Sequence, residues 1–349
     1  MGFYNFYNPQ FIPDQTGDGL SDILVANGGD FTVPPYDPNR PPGKLMVIAS
    51  QTGELISEAY VPDGKETYMS AVVSKLHEDD EDYSVIYGTG GETMGGKLFR
   101  TTLSKILMGD ISDSIELASS EDKGFIAPPV LADLNNDGFL DIAVNAVYGR
   151  ILAFSGRDNS GLWKVQIENT EAYGSIAVGN FVDKERTDLF TTFSIGVWPH
   201  LRDNVQLLIN GETGETLLRD TVGVYQTATP VVADFNNDGY DDALISINID
   251  GQQFDGSFHY QHIMGILDFH NNRQYALDSL QPGANLASTP RVGDLDGNGK
   301  LDIIYSVLGD EKDIPGFKMF RLRSNFDSDK DVIWGTYMGS NLDGVYRRQ

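Results

Sequence analysis

The chain has 349 residues and carries 51 acidic side chains against 25 basic ones, which gives a formal net charge of −26. Nucleic-acid backbones and anionic membrane surfaces bind clustered Lys and Arg, so this charge argues against both as partners. The absence of cysteine excludes disulfides, thiolate metal sites and a cysteine nucleophile, and no stretch reaches the roughly 18 consecutive apolar residues of a membrane helix.

Four acidic loops of nine residues recur along the chain, at 14–22, 133–141, 234–242 and 294–302. Each places oxygen-bearing side chains at positions 1, 3, 5 and 9 and a glycine at position 6, where a tightly curled chain needs positive φ. Because Ca²⁺ takes about 6–8 oxygen ligands in proteins, we expect up to four bound Ca²⁺ ions. One such loop alone could be an ordinary Asp/Asn/Gly turn, but four copies in one register favour ion sites.

The expected ion ligands are the side-chain oxygens at those four positions of every loop. They are Asp14, Thr16, Asp18, Asp22, Asp133, Asn135, Asp137, Asp141, Asp234, Asn236, Asp238, Asp242, Asp294, Asp296, Asn298 and Asp302. The loops are not EF-hands, because the twelfth position, a bidentate Glu in that motif, is Val25, Val144, Ile245 or Tyr305. Short β-rich runs without helical spacing follow each loop, so each loop is expected to join two strands.

Two degenerate copies of the loop lie at 75–83 and 180–188. They lack the full set of oxygen side chains, and we interpret them as turns that need no ion. With them, loop starts fall at 14, 75, 133, 180, 234 and 294, at intervals of 47 to 61 residues. This period fits a four-stranded propeller blade with long loops, since familiar propeller repeats have roughly 40–50 residues.

The sequence therefore predicts an all-β fold, a single β-propeller over residues 1–349 with the ion loops between the first and second strands of several blades. Six blades are expected, with seven as the alternative. The expected blades and tail cover residues 3–62, 68–119, 125–168, 173–222, 226–279, 286–338 and 339–349. In the third blade, strands are expected around 125–133, 141–147, 150–155 and 162–167, and a strand at 332–337 is expected to close the last blade.

The loops and the strands before them resemble the FG-GAP or VCBS repeats of integrin α-subunit heads and of many bacterial surface proteins. The resemblance lies in the pattern Asp-x-Asp/Asn-x-Asp-Gly-x-x-Asp, preceded by small-residue strands such as Thr229-Pro-Val-Val-Ala-Asp234, and it covers essentially the whole chain. It implies an integrin-α-like propeller with structural Ca²⁺ ions and a role in adhesion or surface recognition. The first loop departs from the pattern at Thr16 and the fourth at Asn298.

A weaker similarity connects the outer strands with PQQ-type propeller repeats. It lies in the pattern of strand, turn, strand and Trp at 150–163, in the Thr-Gly turns at 43–54 and 206–215, and in the closing segment 334–346. A quinone enzyme does not follow, because the adjacent cysteine pair common in PQQ alcohol dehydrogenases is impossible in this chain. The pattern is also ordinary propeller architecture.

No nucleophile elbow, zinc-protease helix or phosphate loop is present in the sequence. The Gly-rich stretch 88–96 contains Glu92, but no helix is predicted after it, as phosphate binding would require. The connections at 28–43, 198–200 and 254–260 are expected either to wall a cleft or to pack on one another. Surface or packing roles are expected for the five histidines, His77, His200, His259, His262 and His270.

The leading hypothesis is a non-catalytic, Ca²⁺-stabilised propeller that binds a protein or a glycan and acts in adhesion. No export signal is recognised, so we expect it to have been removed or left out from an extracellular, periplasmic or cell-surface protein, where Ca²⁺ fills sites of roughly 10⁻⁴–10⁻³ M affinity. One alternative is a polysaccharide lyase or hydrolase, with Asp30, Glu92, His200 and His259 as acid–base candidates. Another is a scaffold subunit of a larger surface assembly.

Overall fold

A computed structural model describes residues 6–28, 30, 32–34, 37, 41–252, 258–309, 316–328 and 332–348. This described part is all-β, with 25 strands and one helix of five residues, and neighbouring strands pair antiparallel. The chain divides into two compact units, Met1–Leu131 with Gly138–Gln166 and Ala132–Asp137 with Ile167–Gln349.

Three four-stranded sheets come first, each with its strands in chain order. Sheet one consists of β1 (Gln10–Ile12), β2 (Asp22–Asn27), β3 (Lys44–Ile48) and β4 (Leu55–Tyr60). Sheet two consists of β5 (Val72–Ser74), β6 (Ser84–Gly88), β7 (Gly96–Thr102) and β8 (Ile115–Ser120), with helix α1 (Leu103–Leu107) before its last strand. Sheet three consists of β9 (Val130–Ala132), β10 (Asp141–Ala146), β11 (Arg150–Phe154) and β12 (Gly161–Gln166).

A ten-stranded sheet and a three-stranded sheet follow. The larger one consists of β13 (Thr170–Glu171), β14 (Ala177–Gly179), β15 (Asp188–Ile195), β16 (Asp203–Asn210), β17 (Thr216–Val224), β18 (Val231–Ala233), β19 (Asp242–Gln252), β20 (Phe258–Asp268), β21 (Arg273–Ala276) and β22 (Gln281–Pro282). It contains two four-stranded sets, β14 to β17 and β18 to β21, joined where Val224 pairs with Asn248. The smaller sheet consists of β23 (Arg291–Gly293), β24 (Lys300–Leu308) and β25 (Phe317–Asp327).

The second strand of each sheet carries much of the core. Strand β10 is buried at every residue, and β15 at all but its last. Runs rich in β-branched and apolar residues suit strands covered on both faces, whereas the fourth strands β12 and β17 are largely exposed or half-buried. In the first two sheets one cluster contains Leu24, Leu45 and Tyr87, and burial of each such side chain contributes about 1.5–3 kcal/mol.

The all-β fold and the strands of the third repeat are confirmed, since β9 to β12 fall within the expected segments. The hydrogen-bonded join between β17 and β19 and the helix α1 were not expected from the sequence. The number of blades and the closure of a ring stay predictions. Parts of the connections at 28–43 and 254–260 lie outside the described residues.

The strand expected at 332–337 is absent from the described part of the last sheet, which has three strands. Its residues instead make single backbone bonds to two different strands, from Val232 N to Trp334 O at 2.9 Å and from Val292 N to Gly335 O at 2.7 Å. The chain then turns, with φ of 61° at Met338 and 79° at Gly339. Because Trp334 and Gly335 bond to different strands, the segment 332–337 pairs along neither of them and forms no fourth strand.

The C-terminal segment that the sequence predicts to be a tail is docked on its own unit. Val345 and Tyr346 are buried, and the Tyr346 hydroxyl donates to Asn180 Oδ1 at 2.6 Å. Arg348 bonds the backbone carbonyl of Glu185 at 2.8 Å. The segment is therefore bonded to the copy 180–188 through polar contacts between residues far apart in the chain, which local sequence does not predict.

His262 of β20 is a buried histidine in a packing role. Its Nδ1 lies 2.9 Å from the Gly283 carbonyl oxygen and its Nε2 lies 3.2 Å from the Tyr305 hydroxyl. The ring also packs against Phe320, with 5.7 Å between centroids. Burial lowers the pKa of His262, while the Gly283 carbonyl and the Asp278 carboxylate act in the opposite direction.

We expect His262→Gln to flatten the pH dependence of folding stability below about pH 6.5. The unfolded imidazole, with a pKa of about 6.5, takes up a proton that the buried ring resists, so this stability is present above that pH and is lost as the pH falls towards the folded pKa. The slope that disappears is at most about 1.4 kcal/mol per pH unit. Denaturant unfolding at several pH values measures it, and the exposed His200→Gln is the matched control. Equal slopes for His262→Gln and the wild type would contradict this account.

Candidate ion-binding loops

All four acidic loops lie between the first and second strands of a sheet or four-stranded set, as the sequence predicts. Loop one (14–22) joins β1 to β2, loop two (133–141) joins β9 to β10, loop three (234–242) joins β18 to β19, and loop four (294–302) joins β23 to β24. The glycine at position 6 has φ of 86° in loops one to three and 78° in loop four. The predicted need for positive φ at this position is therefore confirmed.

The carboxylate at position 1 organises the turn by accepting backbone N–H bonds. In loop one, Asp14 accepts from Thr16 N at 2.9 Å, Gly17 N at 2.7 Å and Gly19 N at 2.7 Å. The bond from the position-6 N–H recurs in loops three and four, at 2.9 and 2.8 Å. These bonds, that from Gly19 above all, lower the pKa of Asp14. The backbone of loop one thus favours the ionised form of Asp14, and backbone bonds turn the position-1 side chain into the loop in loops one, three and four.

The aspartate at position 9 is the buried member of the loop. Its exposed fraction is between 0 and 2% in five copies, those of Asp22, Asp141, Asp188, Asp242 and Asp302. A carboxylate removed from water costs several kcal/mol unless hydrogen bonds and opposite charge compensate it. The copies differ in how that compensation is supplied.

In loops one and two, backbone N–H groups compensate the buried position-9 aspartate. Asp22 accepts from Gln15 N at 2.7 Å and from Ser50 N at 3.0 Å, the latter just beyond β3. Asp141 accepts from Gly156 N at 3.0 Å, just beyond β11. These donors satisfy lone pairs of the carboxylates but bring no full positive charge.

Loop three gathers the most negative charge. Asp242 accepts from Phe235 N at 3.1 Å and lies beside Asp268, because Ala243 pairs with Leu267 in register. Both carboxylates are at most 2% exposed. Burial and the neighbouring charge of Asp268, followed by those of the other loop carboxylates, raise the pKa of Asp242 to about 8.

Two amide side chains bridge the carboxylates of this loop. Asn236 Nδ2 donates to Asp268 Oδ2 at 3.0 Å, and Asn271 Nδ2 donates to Asp238 Oδ2 at 2.6 Å. Neutral amides order the oxygens but do not neutralise them. Arg273 pairs in register with Asp268, and the charge of Asp268 helps to raise the Arg273 pKa, but the Arg273 side chain is exposed, bonds that of Tyr275 and forms no ion pair with Asp268 among the described contacts.

Loop four is the place where three carboxylates converge among the described residues. One oxygen each of Asp294, Asp296 and Asp302 lies within 4.8 Å of the others. Arg321 of β25 reaches into this group and bonds Asp302 Oδ1 through Nε at 2.9 Å and Asp302 Oδ2 through Nη2 at 2.7 Å. Its Nη2 also lies 2.5 Å from Asp296 Oδ2. The side chain of Arg321 holds the pKa of Asp302 below its ordinary value.

The turns of the two degenerate copies are held by hydrogen bonds, without the full set of oxygen side chains. In the copy 180–188, Arg186 binds Asp188 through Nε at 2.7 Å and Nη2 at 3.2 Å. In the copy 75–83, Asp80 accepts the backbone N–H groups of Leu76 and His77 at 3.0 and 3.1 Å. Side-chain and backbone donors thus take the role that the sequence assigns to an ion elsewhere.

The acid–base candidates of the enzyme alternative do not form a described cluster. Asp30 accepts from the backbone and hydroxyl of Thr32 at 2.9 and 2.6 Å, as in a short turn. Glu92 and His200 are exposed, and the side chain of His259 lies outside the described residues. The Gly-rich stretch around Glu92 leads into strand β7 and not into a helix, which agrees with the sequence.

The sequence analysis did not identify the charged side chains outside the motif that act on loops three and four, nor the arginine that binds the aspartate of the copy 180–188. Arg321 and Asp268 lie on strands that follow their loops, and neither belongs to the repeated motif. Only the register of β19 with β20 and of β24 with β25 brings them to the loops. Arg186 lies inside its own copy, two residues before Asp188, and that spacing was a usable signal.

The described residues contain no helix long and apolar enough to cross a bilayer. No protein-family model matches the chain, and no curated protein matches it.

Solved structures give distant likenesses. BamB from Moraxella catarrhalis is 10% identical with a TM-score of 0.42, over 87% of this chain and 73% of that one. Hydrazine synthase from Kuenenia stuttgartiensis is 9% identical with a TM-score of 0.46, over 84% and 74%. The WD40 domain of Toxoplasma gondii coronin is 10% identical with a TM-score of 0.44, over 87% and 69%. At these scores the chain shares a broad similarity with each, and no activity or partner is carried over.

Proposed function

We propose that this protein is a Ca²⁺-stabilised β-propeller of the FG-GAP or VCBS type that works as a non-catalytic binding module outside the cytoplasm. The observation that carries the proposal is the buried carboxylate pair Asp242 and Asp268 in loop three. Within the described residues, no Lys or Arg forms an ion pair with either of them. Burial beside Asp268 raises the pKa of Asp242 to about 8, so ionisation of both carboxyls at neutral pH calls for a cation, and the loop around them offers oxygen donors.

The donor chemistry of loop three suits a hard divalent cation. Asp234, Asn236, Asp238 and Asp242 present carboxylate and amide oxygens, the ligands that Ca²⁺ prefers. Asp234 Oδ1 and Asn236 Oδ1 already lie on the same side of the turn, since both accept from Asp238 N, at 3.1 and 2.9 Å. The bound ion would supply positive charge that pins the connection between β18 and β19. Loops one and two carry the same donor pattern.

Recognition is assigned to the connections between strands, because they are exposed on a rigid framework. Trp198, in the connection between β15 and β16, is 51% exposed and lies 6.5 Å from the ring of Tyr225. Its backbone N–H donates at 3.1 Å to Glu171, a buried carboxylate that also accepts from the Tyr173 hydroxyl at 2.5 Å. An exposed Trp198 held beside the half-buried Tyr225 is suited to stack on a glycan ring or on a protein side chain. No described contact favours the enzyme alternative in the same way.

We expect Ca²⁺ to raise the melting temperature of protein treated with EDTA, and Mg²⁺ to have a much smaller effect. A ligand that binds only the folded state stabilises it by RT ln(1 + [L]/Kd), about 2.7 kcal/mol at 100 times Kd. Differential scanning fluorimetry with titrated Ca²⁺ measures this, with elemental analysis to prove that EDTA removed all metal. If Ca²⁺ leaves the melting temperature of the metal-free protein unchanged, the part of the proposal that assigns bound Ca²⁺ is wrong.

We expect Asp242→Asn to have opposite effects with and without the ion. Without Ca²⁺ and above about pH 8, where the Asp242 carboxyl is ionised, it should raise the melting temperature, because a buried charge beside Asp268 is removed. With Ca²⁺ the variant should show a smaller stabilisation than the wild type, because one anionic ligand is lost. Asp250→Asn, at an exposed position on the same strand, is the control for a lost surface charge. If both variants respond to Ca²⁺ like the wild type, loop three is not an ion site.

The recognition part of the proposal is tested with a glycan array and a panel of extracellular matrix proteins. We expect binding without turnover, and we expect Trp198→Ala to weaken it about 5- to 150-fold, if stacking on this ring is worth the about 1–3 kcal/mol found for base stacking on aromatic side chains. Met108→Ala removes another exposed apolar side chain, 73% exposed, and should leave binding unchanged. Turnover of a glycan would instead support the enzyme alternative.

A further inference from the structure

The position-9 aspartates fall into two groups according to whether an arginine or only backbone N–H groups bond to them. Asp188 and Asp302 are each held by both nitrogens of an arginine fork, from Arg186 and Arg321. Asp22 and Asp242 accept backbone N–H bonds, and no arginine or lysine pairs with either among the described contacts. The four loops therefore share a motif but not an electrostatic environment.

In loop four the guanidinium lies between the carboxylates that an ion would bridge. Arg321 Nη2 is 2.5 Å from Asp296 Oδ2 and 2.7 Å from Asp302 Oδ2. Ca²⁺ binds oxygen at about 2.3–2.6 Å, so one nitrogen of the guanidinium occupies nearly the position of a cation that contacts both oxygens. An ion could enter only if this side chain left.

The charge count points the same way. Asp294, Asp296 and Asp302 contribute three negative charges, and Arg321 cancels one of them from within the group. Arg323 pairs in register with Asp302 and further lowers its pKa. At the corresponding place in loop three the chain has Asp268, which adds a negative charge. Arg321 and Arg323 of β25 thus lower the demand for a cation in loop four, whereas Asp268 of β20 increases it in loop three.

We propose that Arg321 takes the place of the divalent ion in loop four, so that this loop closes without metal although its sequence matches the ion-binding motif. The proposal rests on the assignment of Ca²⁺ to the other loops. A guanidinium stays charged at every physiological pH and presents a planar fork to a carboxylate, so the closure is permanent and independent of the Ca²⁺ concentration. The pair Arg186 and Asp188 is the same device in a copy that has already lost its oxygen donors.

The test is the number of Ca²⁺ ions bound by Arg321→Gln, measured by equilibrium dialysis with elemental analysis and by native mass spectrometry. Relative to the wild type, we expect one additional ion per chain and a larger rise of the melting temperature on addition of Ca²⁺. Lys318→Gln removes a positive charge from the same strand, β25, and should leave the number of ions unchanged. Asp296→Asn should leave the wild-type count unchanged and should abolish the ion gained by Arg321→Gln.

The outcomes separate this inference from the proposed function. If Asp296→Asn binds one Ca²⁺ ion fewer than the wild type, the inference is wrong. Asp296→Asn keeps the ion pair between Arg321 and Asp302. It therefore tests the inference even if Arg321→Gln does not fold. An unchanged ion count in folded Arg321→Gln would also overturn it. Failure of the proposed function looks different, because then the wild type binds no Ca²⁺ and Asp242→Asn does not alter the response of the melting temperature to Ca²⁺.

Discussion

The burial of one aspartate at the end of each loop is the constraint on which the repeat depends. This residue begins the second strand of its sheet, and that strand carries much of the core. The carboxylate is therefore removed from water whenever the strand takes its place. It also accepts the backbone bonds that fix the start of the loop, as Asp22 does from Gln15 and Asp242 from Phe235. Strand position and loop shape are thus coupled through one side chain.

The same constraint allows several solutions. A buried carboxylate is tolerated when N–H donors, a guanidinium or a cation compensate it. In the described residues, the copies of this repeat use backbone N–H donors and arginine guanidinium groups. Arg186 and Arg321 neutralise their aspartates from within the chain. Loop three, with Asp268 added, depends on a cation from solution under our proposal. Dependence on extracellular Ca²⁺ would then be concentrated in some repeats and absent from others.

The sequence was least informative at the C-terminal end. Its last residues read as a closing strand and a tail, because Trp334 and its neighbours have strand composition. The structure has single bonds to Val232 and Val292, a turn at Met338, and Tyr346 buried against Asn180. These contacts join segments far apart in the chain, and local propensity carries no information about them.

The sequence by itself determined the all-β class, the loop positions and the positive φ of their glycines, because these follow from local periodicity and from the steric limits of a tight turn. The oxygen donors that it assigns to each loop stay a prediction. Only the tertiary structure decided which loops hold compensating charge, because Arg321 acts on a carboxylate 19 residues away through strand register. A motif of nine residues can place oxygen-bearing side chains in a loop, but in loops three and four charged residues on the neighbouring strand set the electrostatic environment of those side chains.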